Sequence, residues 1–275
     1  MKLSETLFVL QANKTLDRFI NIVLLLLVTL VVQTVYAVYV RPGAEEWRTQ
    51  QQAMVDADPT YKPTRSILAV IAEPEPEASV IVTVWALLLA ALRSQRLKHS
   101  RAMLENDVMQ LPAGACILPD DTREHLRRFD MMAKHMQESL VPRVMQGALK
   151  RFGATRNIQD AATTVHHICE IEANRLESDL STLRFAVWSI PAIGFVGTVR
   201  GLGEALENAQ FVLNSTNPGA LTSGLGLSFN STFTALTLCI FVMYVFHELQ
   251  LAQDRLVLDT EQYAEDELIS RLRTS

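Results

Sequence analysis

The stretch IPAIGFVGTVRGLGEAL, residues 190–206, decides how this sequence is interpreted. It contains four glycines, a proline, a threonine and an arginine among mostly apolar residues. Glycines at such spacing occur in phosphate-binding loops, and they also occur where two membrane helices pack closely. The two alternatives predict different proteins, so the surrounding sequence has to decide between them.

The phosphate-binding alternative fails at specific positions. A Walker loop needs a lysine directly after its second glycine, and no lysine follows any of these glycines. A dinucleotide-binding loop built on Gly201 and Gly203 needs a third glycine where this sequence has Leu206, and it needs a preceding strand. We therefore interpret the stretch as part of a membrane helix.

The apolar residues are concentrated in four segments. Hydrophobic residues make up 49% of the chain and charged residues 20%, whereas about a quarter of a soluble domain is charged. The segments lie at residues 19–40, 78–92, 185–206 and 224–246. A membrane helix needs about 20 apolar residues, and the first segment is too long for a secretory signal. The second is shorter, but the arginines that follow it can snorkel and extend the span.

Basic residues set the predicted orientation. Lys2, Lys14 and Arg18 precede the first span, and residues 93–101 after the second carry basic residues without an acidic one. Residues 41–77 carry four basic and seven acidic residues. Because basic residues collect on the cytoplasmic side, the N-terminus is predicted to be cytoplasmic. Four spans then return the C-terminus to the same side.

These observations predict an all-α membrane protein with four transmembrane helices, two of which extend into a cytoplasmic helical bundle. The third and fourth spans continue into long helices, because residues 160–190 and 247–273 contain neither Gly nor Pro. The predicted segments are a cytoplasmic N-terminal segment at 1–18, TM1 at 19–40, a periplasmic segment at 41–77, TM2 at 78–96, a cytoplasmic helical domain at 97–183, TM3 at 184–213, a periplasmic loop at 214–223, TM4 at 224–246 and a cytoplasmic helical tail at 247–275.

Three local expectations follow from individual residues. The EPEPE run at residues 73–77 predicts an extended acidic strut, since proline recurs at every second position. Gly153 is a plausible C-cap for a helix over the preceding residues. Residues 160–213 predict one uninterrupted helix of about 80 Å at about 1.5 Å per residue.

The third span carries residues suited to close helix packing. Gly197 and Gly201 lie four residues apart and leave one small face, and Gly194 with Thr198 forms an overlapping one. Pro191 removes a backbone donor, which frees a carbonyl and favours a kink. Packing explains the glycines fully, whereas the threonine is explained only in part.

The fourth span carries a polar stripe. Asn230, Thr234 and Thr237 lie at i, i+4 and i+7, and Ser228, Ser231 and Thr232 add polarity at the same depth. Polar side chains within a span face protein or water rather than lipid. They either bond helices together or line a hydrated ion path, and spacing alone leaves both open.

Charged residues near the spans also leave alternatives. Arg200 and Glu204 lie at i and i+4 and can form an ion pair, either at a pore mouth or on the lipid-facing surface. The HHICE run at residues 166–170 has side chains that bind metals, but no second cluster supports a metal site. No nucleophile–base signature indicates an enzyme. The net charge of −5 gives no reason to expect a nucleic-acid partner.

The third and fourth spans together resemble the MotA/TolQ/ExbB proton-channel family. Pro191, Gly194, Gly197, Thr198 and Gly201 match in order the family's Pro-x-x-Gly-x-x-Gly-Thr-x-x-Gly pattern. In the next helix, Gly226 and Thr234 fit the spacing from a glycine to a pore threonine. The resemblance covers about residues 160–250, whereas the first half of the chain matches only in layout.

The resemblance implies a homopentamer in the bacterial inner membrane around a dimer of a MotB/ExbD/TolR-like single-span partner. That partner would carry the membrane aspartate, and Thr198 and Thr234 would line the path of the transported ion. The ion would be H⁺, with Na⁺ as the alternative, and no bound cofactor is expected.

Two residues depart from the family pattern: Arg200 stands where an aromatic or aliphatic residue is usual, and Thr237 where glycine is common.

The driven process is open between flagellar-type torque, ExbB/TolQ-type outer-membrane energisation and Zorya-type phage defence. The other functional alternative is a membrane scaffold or sensor that conducts no ions.

Overall fold

The computed structural model describes residues 14–57, 66–105, 115–132, 136, 139–213 and 219–274. Within these residues the chain is helical apart from turns and one isolated bridge between Ile117 and Leu272. Among the described residues, four helices are long and apolar enough to cross a membrane, which confirms the predicted all-α membrane fold. The helices are α1 (Lys14–Val35), a π-helical turn (Tyr36–Val40), α2 (Arg41–Ala57), α3 (Ile67–Ile71), α4 (Pro74–Glu105), α5 (Thr122–Asp130), α6 (Leu140–Thr155), α7 (Ile158–Asp179), α8 (Ser181–Leu213), α9 (Gly219–Glu267) and a 3₁₀ turn (Ile269–Arg271).

The chain divides into two compact units. The apolar unit comprises the described parts of Arg18–Leu89 and Thr182–Phe246, and the polar unit comprises the described parts of Met1–Asp17, Ala90–Ser181 and His247–Ser275. Large apolar side chains are exposed on the helices of the apolar unit, as expected for a surface that faces lipid. The cytoplasmic placement of the polar unit stays a prediction.

The extended strut predicted for residues 73–77 is wrong, because α4 begins at Pro74. The first N–H groups of a helix have no intrahelical acceptor, so Pro74 and Pro76 remove no helical hydrogen bond there. Glu75 and Glu77 lie in the first turn, where the helix dipole favours acidic side chains. The acidic run is therefore the N-terminus of a membrane helix.

Two helix ends also differ from expectation. The predicted long helix over residues 160–213 is interrupted at Leu180, which caps α7 before α8 begins. Helix α6 continues past Gly153 to Thr155 and ends at Arg156, whose φ of 53° is left-handed. Its N–H still donates to the Phe152 carbonyl. The C-terminus of the helix is thus capped by a non-glycine residue in the conformation that glycine usually adopts there.

The polar unit has its own hydrophobic core. Helices α6 and α7 supply much of it, including Phe152, Met145 and Cys169, and α9 adds Ala264. Leu272 is fully buried in the same core, and its neighbours Arg271 and Arg273 exchange backbone hydrogen bonds with Ile117. The residues after α9 are therefore part of this core.

Candidate functional site

Helices α8 and α9 approach each other closely where α8 carries glycine. A Cβ atom on Gly194 would clash with the Ala235 side chain and would lie 3.2 Å from the Thr232 Cα. A Cβ on Gly197 would lie 2.7 Å from the Cβ of Ser231. Both glycines are therefore required by the helix contact. The predicted packing residues Gly201 and Gly226 are half-buried.

A hydroxyl pair lies beside this contact. The hydroxyls of Thr198 and Thr232 are hydrogen-bonded to each other. The Thr232 hydroxyl also donates to the Gly194 carbonyl at 2.8 Å, and that of Thr198 lies 3.3 Å from the same oxygen. Two polar side chains and a backbone carbonyl thus converge between two membrane helices.

Thr232 is the residue that the sequence pattern does not single out. The pattern favours Thr234, whereas the described hydroxyl contacts of Thr198 are to Thr232 and Gly194. The signal that identifies Thr232 is its neighbours, since Ser231 and Ala235 are both buried and small. Small residues on this face of α9 mark the register at which it meets the glycines of α8.

The other residues of the predicted stripe lie on the same helix. Asn230 and Thr234 are half-buried. Thr237 is exposed, and its hydroxyl donates to the Phe233 carbonyl at 2.8 Å within its own helix. Their assignment to an ion path stays a prediction.

Pro191 lies inside α8 and leaves the carbonyl four residues earlier without its helical donor. That carbonyl belongs to Val187, and it accepts a hydrogen bond from the Cys239 thiol, with sulfur and oxygen 3.4 Å apart. The carbonyl that the proline leaves without a helical donor therefore accepts a hydrogen bond from a side chain of α9.

Arg200 is the centre of a charge cluster. Its guanidinium contacts Glu75, with Nε 2.6 Å from Oε1 and Nη2 2.9 Å from Oε2. It also pairs with Glu73 at 3.3 Å and with Glu204 at 3.1 Å. The predicted Arg200–Glu204 pair therefore exists, but the two carboxylates at the start of α4 are additional partners. This arrangement ties α8 to α4.

Two further arginines hold the same acidic run from α2. Arg48 pairs with Glu73 at 2.9 Å, and Arg41 pairs with Glu77 at 3.0 Å. Glu77 is buried, and within the described part of the chain its Oε1 atom has no hydrogen-bond partner. Each carboxylate of the run thus faces an arginine from another helix.

The side chains of the HHICE run diverge. Cys169 is buried in the core of the polar unit, whereas the His166 ring nitrogen Nδ1 lies 2.8 Å from a carboxylate oxygen of Glu261. Among the described residues, no group of three or more His, Cys, Asp or Glu side chains is arranged to hold a metal ion. These residues join α7 to the rest of the polar unit.

The comparison with known families covers the region that holds this site. Residues 131–262 match the MotA/TolQ/ExbB proton channel family. No curated protein and no solved structure matches the chain. The matched range includes α6, α7, α8 and most of α9, and therefore Gly194, Thr198 and Thr232. Residues 131–262 of this multi-pass membrane protein are therefore similar to the MotA/TolQ/ExbB proton channel family.

Proposed function

We propose that the chain is the channel-forming subunit of a 5:2 rotary motor driven by the proton motive force. Five copies would surround a dimer of a MotB/ExbD/TolR-like single-span partner. The observation that carries this proposal is the Thr198–Thr232 hydroxyl pair at the α8–α9 contact. Thr198 and Thr232 lie in two candidate membrane spans, and both are within the range that matches the proton channel family.

Hydroxyl groups suit an ion path because each one both donates and accepts hydrogen bonds. The predicted stripe of Asn230, Thr234 and Thr237 is the alternative course of the path along α9. The spans at residues 19–40 and 224–246 contain no carboxylate, and Glu75 and Glu77 are paired with arginines. Following the family resemblance, we assign the protonated carboxylate to the partner's membrane aspartate, with H⁺ as the ion and Na⁺ as the alternative.

The proposed location is the bacterial inner membrane, with both termini in the cytoplasm. The polar unit would then lie where inward ion flow can be coupled to mechanical work. The work would be flagellar-type torque, outer-membrane energisation or phage defence. A neighbouring gene for a single-span protein with a membrane aspartate would support any of the three.

Ion flux in inverted membrane vesicles tests the proposal. The chain is co-expressed with a single-span protein that carries a membrane aspartate, and a Thr198→Val/Thr232→Val variant is compared with Thr237→Val. Valine keeps the shape of threonine but lacks the hydroxyl, so we expect the double variant to lower flux at least tenfold, about 1.4 kcal/mol in barrier height. Native mass spectrometry should still show five copies.

Unchanged flux in the double variant would contradict the path. If the variant instead lost stability alone, the hydroxyls would serve packing and the chain would act as a scaffold or sensor. Thr237→Val tests the alternative stripe, to which Thr237 belongs. Its hydroxyl is bonded within its own helix, so a comparable loss there would shift the path toward that residue.

A further inference from the structure

Two hydrogen bonds from α9 side chains to α8 carbonyls lie on either side of Pro191. Cys239 donates to the Val187 carbonyl, and Thr232 donates to the Gly194 carbonyl. The two donors are seven residues apart in sequence, and so are the two acceptors. Seven residues are about two helical turns, so both bonds lie on one face of each helix. The helices therefore meet through two matched polar contacts that bracket the proline.

The two carbonyls differ in what they need. The Gly194 carbonyl precedes Thr198 by four residues, so a backbone N–H is available to it within α8. The Val187 carbonyl faces Pro191, which has no N–H. A polar backbone group left without a partner in a membrane is costly. The Cys239 thiol is therefore in the position where a replacement donor is required.

We propose that Cys239 is a positioning residue of the ion path. Its thiol replaces the hydrogen bond that Pro191 removes, holds the proline-containing segment of α8 against α9 and so keeps Thr198 in contact with Thr232. The functional part of this inference rests on the proposed ion conduction, whereas the hydrogen bond itself does not.

The chemistry of cysteine suits this position. A hydroxyl on a membrane helix commonly bonds back to its own helix, as Thr237 does with Phe233. A thiol is a weaker donor and packs as a small apolar group. Cys239 is half-buried at the α8–α9 contact, where it can supply one donor without introducing further polarity.

A proline–cysteine double-mutant cycle tests the inference. Cys239→Ala is made in the natural chain and in a Pro191→Ala background, in which the restored N–H can donate to the Val187 carbonyl. We expect Cys239→Ala to speed amide hydrogen exchange over residues 191–201 by about twofold to tenfold, the size of one hydrogen bond. It should also lower ion flux by a similar factor. Both effects should largely vanish in the Pro191→Ala background.

Infrared spectroscopy of the S–H stretching band provides a direct readout. The difference spectrum between the natural chain and Cys239→Ala isolates the thiol of interest, and Cys116→Ala serves as the control, since that thiol is exposed. A hydrogen-bonded thiol absorbs at lower frequency, and the restored N–H of Pro191→Ala competes with the thiol for the Val187 carbonyl. The Cys239 band should therefore move to higher frequency in that variant.

Each outcome bears on the inference. A band that stays in place together with equal exchange effects in both backgrounds would overturn the hydrogen-bond role. The positioning role would be overturned by a different combination of results. In that case the spectra are as expected and Thr198→Val/Thr232→Val abolishes flux, but Cys239→Ala leaves flux unchanged. Absence of flux in the natural chain would contradict the proposed function. The positioning of Thr198 would still be supported if Cys239→Ala sped exchange in the natural chain but not in the Pro191→Ala background.

Discussion

Replacing Arg200 by glutamine should destabilise the apolar unit. The change removes the ion pairs to Glu73, Glu75 and Glu204 but keeps a polar side chain of similar length. The Glu75 side chain is only 10% exposed, so its carboxylate would remain in a site that water reaches poorly. Breaking a buried pair by removing one partner costs about 3–5 kcal/mol. Arg200 is 41% exposed, and solvent screening lowers the expected cost to about 1.5–3 kcal/mol.

The assay is reversible unfolding of the purified chain in mixed micelles, followed by circular dichroism. Glu204→Gln is the matched control, because its exposed i, i+4 pair contributes only about 0.3–0.5 kcal/mol. Adding Glu75→Gln to Arg200→Gln should recover part of the loss, since the buried charge is then removed as well. A loss for Arg200→Gln no larger than for Glu204→Gln, or no recovery in the double variant, would refute this reasoning.

Three further outcomes are expected. Gly194→Ala should lower the free energy of unfolding by about 1–3 kcal/mol, because the added methyl group clashes with α9. Gly203→Ala is the control: its Cβ would have open space around it, so the change should be neutral or stabilising by up to about 1 kcal/mol. Equal effects of the two changes in unfolding assays would contradict the close contact. Burial raises the pKa of Cys169 to about 11, so at pH 8 only about a thousandth of this thiol is thiolate. Mass spectrometry should therefore find Cys169 alkylated at least 100-fold more slowly than the exposed Cys116. Similar rates would show that the core opens. Leu272→Ala should cost about 2–5 kcal/mol by leaving a cavity in the polar core, and a midpoint of unfolding within error of the natural chain would argue against its burial.

The helix packing could be predicted because it is encoded in local spacing. Small residues at every third or fourth position mark one face of a helix, and that face is where α8 meets α9. Because proline has no N–H, Pro191 likewise predicts a carbonyl without a helical donor. The sequence does not identify the donor, because Cys239 is brought to Val187 only by the register of two antiparallel helices.

The same limit explains the choice between two threonines. Thr232 and Thr234 are two residues apart and therefore lie on different faces of α9. Which face meets Thr198 depends on how α9 is rotated against α8. Ser231 and Ala235 fix that rotation, since they fit against Gly194 and Gly197. A one-turn pattern in α9 alone cannot supply this information.

The acidic run at the start of α4 was unpredictable for a different reason. Alternating proline and glutamate is typical of an exposed linker, and a local pattern contains nothing to oppose that interpretation. The deciding partners, Arg41 and Arg200, are distant in sequence. Only the folded chain brings three arginines from two helices to one helix start.

This shared cluster has an evolutionary consequence. Glu73 contacts both Arg48 and Arg200, while Glu75 depends chiefly on Arg200, so the cationic residue in α8 can be lost harmlessly only after its acidic partners have changed. An apolar residue at this position would therefore require a helix start that lacks the buried carboxylate. Related sequences should gain or lose Arg200 together with Glu75, and the ancestral order of those exchanges should show the arginine arriving first.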